Sequence, residues 1–96
     1  MTEGALRDMS LEEELREETL KWLERGKSLL SGISGDRHFC ENISAYLRDS
    51  EYFLGNEDLI RAFEAVVWAW ACMEIGLELG VLHREADERP RSEKGS

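Results

Sequence analysis

The chain has little of what most small-protein chemistry depends on. It holds one proline, Pro90, with two cysteines and two histidines in 96 residues. With its proline so late, residues 10–83 contain no strong helix breaker. Cys40 and Cys72 lack Cys-x-x-Cys spacing, which excludes a thioredoxin-like motif and the common zinc patterns. A glycine-rich phosphate loop and a serine nucleophile elbow are both missing. The longest apolar run is residues 65–73, far short of the about 20 needed to cross a hydrocarbon core. No cationic stretch followed by apolar residues opens the sequence, so no secretory signal is expected. Positive charge is scarce as well: 12 Lys and Arg against 21 Asp and Glu leave a net −9. Nucleic-acid affinity comes largely from clustered cations that release counterions, so direct contact with nucleic acid is not expected. Docking on anionic lipid is disfavoured for the same reason. The expectation is a soluble, cytoplasmic chain without a cofactor or membrane partner.

What is present is helix. Hydrophobic residues make up 42% and charged residues 34% of the chain, enough to fold one small domain but too little to enclose a deep cavity. Glycines at 32, 35 and 55 punctuate three predicted helices, over residues 10–31, 36–54 and 57–82. Helices of this length joined by short turns predict an all-α fold, an antiparallel up-and-down three-helix bundle. Residues 1–9 are expected to form a flexible N-terminus, and residues 84–96 a disordered charged tail.

The first helix opens on a capping box, Ser10 with Glu13. Its apolar stripe is Leu11, Leu15, Trp22 and Leu29, widened by Leu23 and Leu30. Gly26 interrupts the stripe and is expected to weaken it by about 1 kcal/mol relative to alanine. The second helix carries Phe39, Ile43, Tyr46, Leu47, Ser50, Phe53 and Leu54 on one face. Gly55 suits a left-handed helix end and Asn56 an N-cap.

The third helix is the most informative. Leu59, Phe63, Val66, Trp70, Met73, Leu77 and Val81 form a bulky stripe expected to be core. Beside it runs a stripe of small residues, Ala62, Ala65, Ala69, Cys72, Gly76 and Gly80, against which another backbone can approach closely. Cys72 projects roughly 130° from the centre of the bulky stripe, so Cys40 and Cys72 are expected as free thiols. The polar stripe starts with Glu57, Arg61 and Glu64, then gives way to Trp68, Ala71 and Ile75 before Glu78. With Leu79 these residues make an apolar patch that two neighbouring helices need not cover. Trp68, Ala71, Ile75 and Leu79 are therefore the candidate partner interface, since such patches mark association surfaces and tryptophan anchors them. The competing expectation is that the first helix, or Ala5, Leu6 and Met9, folds over the patch.

The segments Tyr52-Phe53-Leu54, Ala62-Phe63-Glu64-Ala65, Trp68-Ala69-Trp70 and Ile75-Gly76-Leu77-Glu78-Leu79-Gly80 carry a resemblance. They are similar to the archaeal family of small helical proteins catalogued as domain of unknown function number 357. The likeness covers the second and third predicted helices well and the first loosely. It implies a closed three-helix bundle and an archaeal cytoplasm. It brings no activity and no catalytic residue.

Catalytic candidates are thin. His38 and Glu41 share a helix face, but as a single pair in the reverse order of the Glu-x-x-His found twice in di-iron bundles. A surface pair is the ordinary reading. His83 is expected near the end of the third helix, where a cation favours the dipole. Glu12, Glu13, Glu14, Glu17 and Glu18 suit an N-terminal helix end and a solvated face. The functional expectation is a small acidic, non-enzymatic interaction module that self-associates or serves another protein. The alternative is a metal- or small-ligand-binding helical enzyme using His38, Glu41 or the first-helix carboxylates.

Overall fold

The computed structural model describes residues 10–85. The expectations for residues 1–9 and for the tail from 86 onward lie outside those residues. Among the described residues the chain is all-α apart from one small strand pair: α1 (Leu11–Ser31), β1 (Ile33–Gly35), α2 (Arg37–Gly55), α3 (Leu59–Leu79) and β2 (Leu82–Arg84). No helix among them is long and apolar enough to cross a membrane.

The start of α1 follows the local signal. Ser10 Oγ accepts from the Glu13 amide at 3.1 Å, and Glu13 Oε1 accepts from the Ser10 amide at 3.2 Å. Burial along α1 differs from the predicted stripe. Leu11 is exposed, Leu15, Trp22, Leu29 and Leu30 are half-buried, and the buried positions are Thr19, Leu23 and Gly26. Gly26 is buried at a point of close approach. A Cβ there would stand 3.2 Å from Leu47 Cδ2 and 3.3 Å from Trp70 Nε1.

The turn between α2 and α3 also departs from expectation. Gly55 stays helical, Asn56 caps α2, and the left-handed residue is Glu57, with φ 62°. Asp58, not Asn56, caps α3. A tertiary contact accompanies this shift: Arg16 grips the Glu57 carboxylate with two bonds of 2.8 and 3.2 Å. Nothing in the local pattern announces that pair.

The largest correction concerns the end of α3. Gly80 turns left-handed at φ 80°, and the Gly80 and Val81 amides close onto the Leu77 and Gly76 carbonyls. The helix therefore stops at Leu79, and Gly80 and Val81 lie outside the stripes assigned to them. The chain then extends as β2, which pairs antiparallel with β1: Ile33 opposite Arg84, Ser34 opposite His83, and Gly35 opposite Leu82. Residues 33–35 form a strand rather than a plain helix break, and His83 is a strand residue, not a helix-end cation. Arg84 and Glu85 belong to the ordered structure and not to the tail, because the Glu85 amide bonds the Gly32 carbonyl at 2.8 Å. Gly35 is required here: its φ is 139°, and a Cβ would overlap the Val81 carbonyl oxygen.

The core gathers Leu23, Ile33, Ile43, Leu47, Val66, Ala69, Met73 and Leu82. The most extensive helix interface is between α2 and α3, and it uses the small stripe. Ala62, Ala65, Ala69 and Gly76 are buried, with Cys72 half-buried. The bulky stripe is not uniformly core. Leu59, Val66 and Met73 are buried, whereas Phe63, Trp70 and Leu77 are half-buried at its flank. Small residues allow so close an approach that the contact centres on them and the larger side chains rotate aside. Ser50, fully buried, donates to the Ala62 carbonyl at 2.8 Å across the same interface. Cys40 and Cys72 are separate, half-buried thiols.

Two measurements check this packing. In urea unfolding, Gly76→Ala should cost about 1–3 kcal/mol, because Leu82 and Phe39 occupy the space a Cβ needs. Ser50→Ala should cost about 0.5–1.5 kcal/mol through the lost inter-helix bond. Acid titration tests the turn. The hydrogen bond from Arg16, then its charge, holds the Glu57 carboxyl below its ordinary range. A lowered folded-state value means that the pair's contribution is complete above the ordinary carboxylate pKa. It fades as pH falls through the lowered one. Glu57→Gln should flatten that part of the acid-unfolding curve, by a small amount at so exposed a site.

Candidate functional site

The exposed side of α3 presents Trp68, Ala71, Ile75 and Leu79 at steps of three and four residues, hence on one face. Trp68 is 58% exposed, Ile75 49% and Leu79 67%, with Ala71 half-buried between them. The competing expectation that α1 covers the patch is not met. α1 reaches α3 on the other flank, where the Trp22 and Trp70 rings stand edge to face at 5.5 Å. There Trp70 Nε1 donates to the Trp22 carbonyl at 3.0 Å. Ala5, Leu6 and Met9 lie outside the described residues.

Trp68 is exposed but held. Its ring stacks on Tyr46 of α2, with centroids 6.4 Å apart and planes inclined by 24°. One indole face is thereby fixed while the rest meets solvent, which lowers the entropy an anchor loses on binding. Beyond Ala71 and Ile75 the face deepens into a shallow groove lined also by Glu74, Leu77, Glu78 and Arg84. Val67, 48% exposed, lies toward the α1 flank, in a separate groove with Trp22, Phe63, Trp70 and Glu74. Glutamates 64, 74 and 78 are exposed along the same side of the helix.

Several of these participants were not singled out from sequence. Tyr46 lies on the apolar face predicted for the second helix, and its stacking depends on the register between α2 and α3. Arg84 was placed in a tail, and β2 carries it to the groove. Val67 sat within the apolar run without a sign that it faces outward.

The alternative catalytic residues do not assemble. His38 is exposed in the first turn of α2, and Glu41 is engaged by Arg37 Nε at 3.4 Å. Glu18 of the acidic helix-one run accepts from Trp22 Nε1 at 3.1 Å and pairs with Lys21. Hydrogen bonds from Lys21, then Trp22, lower its carboxyl pKa. Glu13 is spent in the cap. Among the described residues no group of three or more His, Cys, Asp and Glu side chains is placed to hold a metal ion.

Tyr46→Ala should free the Trp68 ring: in a difference spectrum against Trp68→Phe, emission should move to longer wavelength and acrylamide quenching should rise. The accompanying stability loss should be about 0.5–1.5 kcal/mol from the ring pair, plus the packing of the half-buried Tyr46 ring.

Comparison with known proteins places this geometry in a family. The family described as protein of unknown function (DUF357) matches residues 1–82. A crystal structure of a protein of that family from Archaeoglobus fulgidus is similar to this chain, with 64% sequence identity and a TM-score of 0.77. The match covers 78% of this chain and 99% of that one. No curated protein matches. The present chain therefore belongs to the archaeal DUF357 family, whose function is unknown.

Proposed function

We propose that the chain is a small non-enzymatic interaction module that docks through the outer face of α3, either on a second copy or as an accessory to another protein. The observation that carries this reading is the solvent exposure of Trp68, Ile75 and Leu79 on one helix face. Isolated exposed apolar residues are ordinary, but a contiguous row with a pre-positioned tryptophan has the composition of an interface centre. The frame behind it reads as an antiparallel up-and-down bundle. Support comes from contacts that step in opposite directions along α2 and α3: Ser50 with Ala62, Tyr46 with Trp68, and Phe39 beside Gly76. The β1–β2 pair ties the C-terminal ends of α1 and α3 at one end of that frame. A frame braced in this way would hold the docking face in place and cost little ordering on association. No observation favours the metal- or ligand-binding enzyme.

The test compares wild type with Trp68→Glu and Ile75→Glu in sedimentation, alone and in extract of the native cytosol. Wild type should sediment in species heavier than one chain, and both variants should lose them while their melting temperatures stay within a few degrees of wild type. If both variants remain folded and keep every heavier species, the face is not the docking surface.

A further inference from the structure

We infer that α1 is a hinged cover. It swings away from the α2–α3 hairpin as one unit about Gly32, while the hairpin and the β1–β2 pair stay folded, and so bares a second apolar flank of α3. This opening is independent of the docking reading, since Trp68, Ile75 and Leu79 lie on the side of α3 away from α1.

α1 is held less firmly than α2 and α3 hold each other. Of its 21 residues, Thr19, Leu23 and Gly26 are buried, and only Leu23 among these is a large apolar side chain. Thr19 spends its hydroxyl on the Leu15 carbonyl of its own helix at 2.7 Å, and Gly26 has no side chain to pack. Leu15, Trp22, Leu29 and Leu30 are half-buried, and Leu11 and Leu20 are exposed. α3, by contrast, buries Leu59, Val66 and Met73 together with its small seam. The polar contacts from α1 to the hairpin are equally light. Arg16 with Glu57 and Lys27 with Glu51 are exposed ion pairs, which contribute little in water. Trp70 Nε1 donates to the Trp22 carbonyl, a mid-helix group that keeps its own helical partner when α1 departs.

The borders of α1 are also open. A groove of about 300 Å³ runs between α1 and α3 beside Trp22, Phe63 and Trp70. Another, of about 230 Å³, lies between Leu30 and Ser31 of α1 and Ser44 and Arg48 of α2. A third follows the first turns, with Leu11 and Leu15 on one bank and Leu59 and Ile60 on the other. Gaps of this kind deprive their walls of partner atoms, so dispersion contact along those borders is forfeited.

The hinge is defined from both sides. Beyond it, the Gly32 carbonyl accepts from the Glu85 amide at 2.8 Å, and β1 pairs with β2. Ile33 and Leu82 anchor that pair in the core. Before it, the helix closes with the Gly32 amide on the Leu29 carbonyl at 2.9 Å. Rotation is thereby confined to Ser31 and Gly32, an element end of the sort where hinges fall. A Cβ at Gly32 would meet nothing nearer than the Leu29 carbonyl oxygen at 3.7 Å, so the backbone has room to turn. With α1 away, Phe63, Val66, Trp70 and Met73 lose their cover.

The experiment is native-state hydrogen exchange of the full chain, followed amide by amide by NMR through a series of urea concentrations below unfolding. The slowest α1 amides, between Thr19 and Leu30, should share one urea slope, shallower than that of the slowest α2 and α3 amides. Without urea they should exchange at least tenfold faster than those amides. Ser50→Ala separates the cover from global unfolding. Its bond lies in the α2–α3 seam, which is intact whether α1 is docked or open. The variant should therefore speed the slowest α2 and α3 amides severalfold and leave α1 within about twofold of wild type. Trp22→Ala weakens the docked state and should speed α1 at least tenfold. Equal rates and slopes in α1 and the hairpin overturn the cover, because α1 then opens only when the whole chain unfolds. So does an α1 that speeds up with the hairpin in Ser50→Ala, or one unmoved by Trp22→Ala. Rates graded from Leu15 to Leu30, with the last turn as slow as α3, overturn it in favour of simple fraying.

Discussion

The architecture depends on the close approach of α2 to the small-residue seam of α3. Ala62, Ala65, Ala69 and Gly76 are buried along that seam, and nothing larger fits at Gly76, where Leu82 and Phe39 already press in. An interface built on alanine and glycine brings two backbones together but buries little side-chain surface per residue. Other elements must supply the remaining apolar contact. Ile43 and Leu47 come from α2, Leu23 from α1, and Ile33 and Leu82 from the strand pair. The same geometry fixes the orientation of α3. With its seam turned to α2, Phe63 and Trp70 fall at the flank where α1 arrives, and Trp68, Ile75 and Leu79 fall on the side that no described element covers.

The attachment of α1 follows from this. It meets α3 through a tryptophan pair and the bond from Trp70 to the Trp22 carbonyl, and it comes nearest where Gly26 has no side chain. Ion pairs from Arg16 to Glu57 and from Lys27 to Glu51 join it to the α2–α3 turn and to α2. Such exposed pairs contribute modestly to stability, but they fix which way the helix faces. The strand pair secures its far end. Three residues of ladder are weak alone. Here they carry Ile33 and Leu82 into the core, so the ladder is held by burial as well as by hydrogen bonds.

These constraints link fold to function. A helix that is apolar nearly all round usually lies inside a protein, and here the described residues shelter only part of the circumference of α3. The uncovered part is not loose, since Tyr46 braces Trp68, and its glutamates keep the surface acidic. Under the proposed docking reading, the apolar row would supply most of the affinity by burial, and the charged residues beside it would bear on the choice of partner.

The division between sequence and structure is clear in particular residues. Sequence alone determined the helices, the capping box at Ser10 and Glu13, the small seam of α3, and that Trp68, Ile75 and Leu79 share one face, because each is a matter of spacing along one helix. The family was legible in the same way, from the aromatic and glycine segments of α2 and α3. Tertiary structure decided the rest. Gly26 became a contact point only because Leu47 and Trp70 lie against it. The left-handed residue of the turn moved to Glu57, where Arg16 reaches it from another helix. Val81 and Leu82 left the predicted helix, and Arg84 the predicted tail, because Gly80 ended α3 and β1 stood ready to pair. Local periodicity reports which side chains share a face. Which face is buried depends on how near a neighbour can come, and that is settled only by elements distant in the chain.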